Sequence, residues 1–142
     1  MQRVHFFPHD RSISLKDRKR LKNFIEDLFA KEKRELDNVA YIFCSDKYLL
    51  EINNRFLKHD FYTDVITFDL SSARKAIEGE VYLSIDRIKD NAKKIGVPFK
   101  EELHRVLFHG ALHLCGYKDK TKAQQKEMRS KENRYLLKYF NK

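Results

Sequence analysis

The chain has 142 residues, of which 42% are hydrophobic and 13% aromatic, so it is long and apolar enough to fold as one domain with its own core. No apolar run approaches the ~20 residues of a membrane helix, and 36% of the residues are charged, which excludes an integral membrane protein. Thirty basic residues against 21 acidic ones give a net charge of +9, a field that attracts polyanions such as nucleic acid, although a lysine-rich soluble surface would have the same composition.

The first half of the chain is expected to form two strands and two helices. Residues 4–7 form a strand that Pro8 closes, and residues 39–44 form a second strand rich in β-formers. Between them, Ser14 begins a capping box, after which apolar residues recur at helical spacing. Ser45 is expected to cap the second helix.

The second half is expected to contain two paired strands followed by three helices. Residues 64–70 and 80–85 alternate apolar and polar side chains, which is typical of neighbouring strands. The order β-α-β-α-β-β-α-α-α predicts a single α+β domain over residues 1–142, with a small mixed sheet of about four strands packed with helices. The three helices are expected to begin at Asp86, near Pro98 and at a capping box of Thr121 with Gln124.

Two histidines share one face of the helix that is expected to end at Gly116. His109 and His113 are four residues apart, and one helical turn places such side chains about 6 Å from each other. Gly116 turns the chain, so Asp119 can return towards both rings as a third ligand. Two nitrogens and a carboxylate leave a position free for water, as in catalytic metal sites. We therefore expect a zincin-like metal helix, although two histidines at this spacing also occur by chance as hydrogen-bonded side chains.

Gly110 occupies the position where zinc proteases of the H-E-x-x-H type carry a general-base glutamate. Peptide cleavage is therefore a less plausible reaction than other metal-assisted hydrolysis. The sequence identifies no general base with certainty. Asp64 is a candidate because it begins a strand, and a strand-start hydrogen bond explains it equally well. His104 is expected to be an exposed helix residue, and His59 could approach the site.

Residues 109–117, H-G-A-L-H-L-C-G-Y, resemble the signature of the YbeY family, the bacterial rRNA maturation factors and endoribonucleases. Residues 63–68, T-D-V-I-T-F, are similar to the family's T-D-V-L-S-F strand, and residues 79–81 are similar to its G-D-I strand start. Glu102 and Arg105 match acidic and basic positions on the helix before the first histidine. The resemblance covers most of the chain.

This resemblance implies a cytoplasmic, metal-dependent hydrolase with one zinc ion, held by His109, His113 and Asp119. It implies cleavage of single-stranded RNA in late ribosome biogenesis, during maturation of the 3′ end of small-subunit (16S) ribosomal RNA. It also implies association with precursor ribosomal RNA and with the small ribosomal subunit or its assembly factors.

Two positions depart from the family's pattern. Most members have a third histidine where this chain has Asp119, and a carboxylate tilts metal preference from Zn²⁺ towards harder ions such as Mn²⁺ or Fe²⁺. Many members carry an arginine, thought to serve the RNA chemistry, where this chain has Leu57. The native metal and the strength of the nuclease activity are therefore open.

Basic residues beside the metal motif are candidates for RNA contacts. We expect the metal at the floor of a groove with basic residues along its walls, where each phosphate contact would steepen the salt dependence of binding. Tyr117 could stack a base, or it could be a half-buried aromatic residue. The candidates are Arg105, Tyr117, Lys118, Lys120 and Lys122.

Two other functions fit the same residues. One is a non-catalytic RNA-binding assembly factor with a structural metal, and the other is a metal hydrolase of another substrate, such as a peptide or nucleotide. Residues 1–11 have no apolar block of signal-peptide length, and Cys44 and Cys115 are expected to be buried free thiols. Both features are consistent with a cytoplasmic location, and no membrane partner is expected.

Overall fold

The computed structural model describes residues 2–72 and 76–141, and within them the chain forms four strands and five helices. Their order is the predicted one, and the α+β class is confirmed. No helix in these two ranges is long and apolar enough to cross a bilayer. The elements are β1 (Val4–Pro8), α1 (Arg18–Lys31), β2 (Leu36–Cys44), α2 (Asp46–Leu57), β3 (Val65–Asp69), β4 (Ile77–Ser84), α3 (Ile85–Ile95), α4 (Phe99–Leu114) and α5 (Lys122–Asn141).

The strands form one mixed sheet in the order β1-β2-β4-β3. β1 pairs with β2 and β2 with β4 in parallel, whereas β3 pairs with β4 in antiparallel fashion. The predicted pairing of the last two strands is therefore confirmed, with Thr67 opposite Val81 and Asp69 opposite Gly79. This order leaves β3 at one edge of the sheet and β1 at the other.

Helices cover the two faces of the sheet unequally. The main core joins one face to α1, α3, α4 and α5, and a smaller cluster joins α2 to the opposite face beside β3. Helix α4 lies very close to β4, because a Cβ on Gly110 would come within 2.7 Å of Val81 Cγ1 and one on Gly79 within 2.7 Å of the Leu114 side chain. From residue 110 to residue 114, α4 therefore runs antiparallel to β4 and parallel to β3.

Two of the predicted helix starts are wrong. Ser14 does not cap α1, which begins after Asp17, a residue with left-handed backbone (φ 56°) and no capping side-chain hydrogen bond. Ser84 rather than Asp86 caps α3, because the hydroxyl of Ser84, at the end of β4, accepts from the backbone N–H of Arg87 at 3.1 Å. The caps formed as predicted are Ser45 and the box of Thr121 with Gln124.

His104 is buried, which corrects the expectation that it is exposed. Its ring stacks on Tyr139 of α5, and its Nδ1 lies 2.7 Å from the carbonyl oxygen of Lys100. The reason is that α4 is covered by the sheet on one side and by α5 on another, which leaves little of it for solvent. Cys44 is buried as expected, whereas Cys115 is only half-buried.

Candidate metal centre

The three predicted metal ligands meet where α4 ends. The Nε2 atoms of His109 and His113 each lie 3.4 Å from one oxygen of the Asp119 carboxylate. One potential ligand atom from each residue lies within 4.8 Å of the other two. The helical repeat aligns the histidines, and the positive φ of Gly116 (113°) turns the chain so that Asp119 returns to them. The arrangement could hold one metal ion.

The ring of His109 is oriented by a carboxylate on α5. Its Nδ1–H donates to Glu132 at 2.6 Å, which leaves the lone pair of Nε2 free and facing Asp119. Glu132 also accepts from Arg105 at 3.0 Å, and both of these partners are largely buried. A carboxylate on the far nitrogen of a metal-binding imidazole fixes its tautomer and raises its basicity. The donor set therefore fits a divalent metal.

The two imidazoles differ in their affinity for protons. Burial works to lower the pKa of His109, but the hydrogen bond and negative charge of Glu132 outweigh it, so this pKa is raised. Burial lowers the pKa of His113, and the neighbouring His109 lowers it further. His113 therefore offers a neutral nitrogen over the wider pH range.

Hydrogen bonds hold the turn that carries Asp119. The carbonyl oxygen of Asp119 accepts from Gln125 Nε2 at 3.1 Å. Two residues before Asp119, the hydroxyl of Tyr117 donates to Glu32, the C-cap residue that follows α1, at 2.7 Å. Residues at the end of α1 and on α5 thus hold the turn, and with it the position of the Asp119 carboxylate.

The three ligands lie in an open groove of about 560 Å³, between the edge strand β3 on one side and α4 and α5 on the other. Asp64 and Glu102 line it, and burial raises the pKa of both carboxyl groups. Five acidic residues and two arginines line the groove, so its wall is acidic in a basic protein. These charged residues are Asp64, Asp69, Glu102, Asp119, Glu132, Arg105 and Arg129.

The family model "Endoribonuclease YbeY" matches residues 7–140. The chain belongs to the YbeY family. The endoribonuclease YbeY of Cytophaga hutchinsonii is 48% identical over 133 residues, which cover 94% of this chain and 93% of that protein. That of Amoebophilus asiaticus is 42% identical, with coverages of 94% and 91%. The solution structure of TM1509 from Thermotoga maritima matches with a TM-score of 0.61 at 31% identity, over 94% of this chain and 87% of that one. The family resemblance predicted from the motifs is confirmed.

The predicted RNA contacts of this YbeY family member lie in different surroundings. Lys118 and Lys120 line a second depression that adjoins the groove and shares His113 and Asp119 with it, and Lys122 is exposed at the start of α5. Arg105 lies in the groove, where its guanidinium forms a salt bridge with Glu132. Tyr117 is half-buried and its hydroxyl is bound to Glu32.

Other predicted positions lie at the rim of the groove or away from it. Asp64 lines the groove at the start of β3. His59 stacks on Phe61 in the loop before β3. Leu57 is exposed at the last residue of α2 and does not line the groove.

Glu132 is the functional residue that our sequence reasoning missed. It lies on the buried face of α5, four residues after Met128 and three before Tyr135. A carboxylate in an otherwise apolar helical stripe needs a buried partner, and that pattern is visible in the sequence. Only the packing of α5 on α4 shows that the partner is His109.

Proposed function

We propose that this chain is a metal-dependent, single-strand-specific endoribonuclease that matures the 3′ end of 16S ribosomal RNA in the cytoplasm, during late ribosome biogenesis. The observation that carries the proposal is the convergence of His109, His113 and Asp119 in an open groove of a YbeY-family chain. The endoribonuclease names of its relatives supply the substrate class. The small ribosomal subunit or its assembly factors are the proposed partners.

The ligand set supports Zn²⁺ as the cofactor. Two imidazole nitrogens suit zinc, while the carboxylate of Asp119 also admits Mn²⁺ or Fe²⁺. A divalent ion there would supply Lewis-acid stabilisation of a phosphoryl oxygen and would activate water. Glu132 keeps the Nε2 of His109 directed at that point.

Asp64 is the proposed general base. It lines the same groove, half-buried, at the end where β3 begins. Burial raises the pKa of its carboxyl group, which makes it a better proton acceptor than a solvated aspartate. In Asp64→Asn, kcat should fall while metal content stays at the wild-type level.

The proposal is tested with the full chain and an end-labelled single-stranded RNA, with chelator and after metal is restored. Cleavage should stop with chelator, return with the ion and be lost in His113→Ala. His5→Ala is the matched control, because His5 lies on β1, at the edge of the sheet opposite to β3 and outside the three-ligand group, and it should cleave normally. Cleavage retained by His113→Ala would contradict the proposal.

The same preparation separates the two alternative functions. RNA binding without cleavage at any metal loading would favour an assembly factor with a structural ion. Hydrolysis of casein, with RNA left intact, would favour a peptide hydrolase. For the ribosomal role, the substrate is a 16S RNA fragment with its 3′ extension, and cleavage should fall at the mature end.

A further inference from the structure

Two consecutive aromatic residues are both exposed in the loop between α2 and β3. Phe61 is 56% exposed and Tyr62 is 53% exposed, and we call this pair the aromatic platform. Large neighbouring apolar side chains on a protein surface mark sites of interaction. None of the metal chemistry described above uses them.

The aromatic platform is held rigidly by the protein. The side-chain amide of Asn53, which is 1% exposed, donates to the carbonyl oxygen of Phe61 at 2.9 Å. His59 stacks on Phe61 with ring centres 5.0 Å apart, and the Arg87 guanidinium lies 5.0 Å from the centre of the Tyr62 ring. Arg87 is itself held by Asp46 at 2.6 Å. Rings fixed in this way lose little conformational entropy when a ligand stacks on them.

The aromatic platform lies at one end of the metal groove. Gly110, beside His109, packs on Val81, and Val81 pairs with Thr67, so His109 lies level with the middle of β3 and His113 nearer its end. Thr63, which follows Tyr62 directly, also lines the groove, just before the start of β3. Thr63 and Thr67 are four residues apart, with β3 beginning at Val65, so at most about 13 Å of chain separates them. A polymer that follows β3 from the metal ligands therefore reaches the aromatic platform.

We propose that Phe61 and Tyr62 form a stacking subsite for unpaired bases of an RNA whose backbone lies in the metal groove. This inference rests on the proposed function and adds the part of the substrate that is recognised. Aromatic rings stack on any base without reading its sequence, and bases inside a duplex cannot be reached in this way. Two exposed cations at the adjoining end of α2, Arg55 and Lys58, outnumber the exposed Asp60 of the loop, and this net positive charge favours RNA over a neutral peptide as the occupant.

The test is a kinetic scan on the metal-loaded full chain. The substrates are single-stranded RNA oligomers with one cleavage site, in which each nucleotide in turn is replaced by an abasic one of the same backbone charge. For the wild type, KM should rise at one or two positions on one side of the cleaved bond. For the double variant Phe61→Ala, Tyr62→Ala, KM on unmodified RNA should rise about 5- to 150-fold, the loss expected for one stacked base, with kcat little changed.

The decisive comparison is between the variant and the abasic substrates. If rings and bases contact each other, an abasic nucleotide at a sensitive position should not raise the KM of the double variant above its value on unmodified RNA. Phe7→Ala is the matched control, because Phe7 is 51% exposed on β1, at the opposite edge of the sheet, and its KM should equal that of the wild type. A second double variant with leucine at both positions keeps an apolar surface and should still lose the base dependence.

The outcomes distinguish this inference from the proposed function. If the wild type does not cleave RNA at all, the proposed function fails. If the wild type cleaves but its KM is the same for every abasic substrate, or the double variant keeps the wild-type KM, the stacking subsite is refuted while the nuclease stands. The aromatic platform would then be assigned to a protein partner.

Discussion

The replacement Glu132→Gln tests whether the carboxylate behind His109 sets the strength of metal binding. Glutamine keeps the shape of the side chain and one oxygen, which can accept from His109 Nδ1, now 2.6 Å from Oε2 of the carboxylate. Its amide nitrogen then faces Arg105, which now donates to Oε1. Glutamine removes the negative charge that makes the imidazole more basic. The geometry of the three ligands should therefore survive, whereas their affinity for a cation should not.

The expected loss follows from the position of Glu132 in the site. Removing a carboxylate that supports a metal-binding histidine typically lowers metal affinity 10- to 100-fold, or about 1.4 to 2.7 kcal/mol. Glu132 contacts only one of the two histidines directly, so we expect the lower half of this range. Thermal stability should also fall, because the buried Arg105 loses its charged partner.

Competition with a chromophoric chelator measures the metal affinity of Glu132→Gln, and circular dichroism at increasing temperature measures its stability. Glu127→Gln is the matched control, since it removes the same charge from an exposed position of α5. An affinity of Glu132→Gln within about twofold of the wild type, in folded protein, would refute the reasoning.

Three further changes test the fold and the site. Gly110→Ala should lower the free energy of unfolding by up to about 2 kcal/mol, because overpacking against Val81 costs about 1–3 kcal/mol and the higher helix propensity of alanine offsets about 1 kcal/mol of this cost. Denaturant titration should show that Val81→Ala partly rescues the stability of Gly110→Ala. Strictly additive effects of the two substitutions would contradict the contact. His104→Phe should make the Tm of metal-free protein less dependent on pH in the acid range. Burial lowers the pKa of His104 below its ordinary 6.5, so the unfolded chain binds the proton at a higher pH than the folded chain does. The wild type therefore loses stability as the pH falls below 6.5. Equal pH slopes for the two proteins would refute this. Asp119→His should raise the affinity for Zn²⁺ relative to Mn²⁺ in direct competition, and an unchanged ratio would show that Asp119 does not bind the ion.

The order of elements was predictable because the spacing of apolar residues within each segment distinguishes a helix from a strand. Residues 64–70 alternate, and the strand that forms there pairs with β4 as expected. The ligand group was predictable because its geometry is local: one helical turn and one glycine turn determine it. Ser14 and Asp86 show the limit of local signals, since a capping sequence competes with the packing that decides where a helix begins.

Residues brought together from distant parts of the chain could not be predicted in this way. Glu132 reaches His109 across 23 positions, and His104 is covered by Tyr139 across 35. Both contacts depend on how α5 crosses α4, which no periodicity within a single helix specifies. The apolar face of α5 indicates that this helix packs against another element, but the identity of that element depends on the tertiary fold.

The charge of the groove connects the metal with the substrate. The protein as a whole carries +9, yet five carboxylates face two guanidinium groups in the groove, and one of these, Arg105, is already paired with Glu132. A phosphodiester entering such a groove meets like charge at short range, which repels it. A divalent cation on His109, His113 and Asp119 reverses the local sign at the point where the phosphate must lie. Under the proposed function, the net positive charge of the protein would attract RNA from a distance, while the loaded metal site would decide where along the groove its backbone can settle.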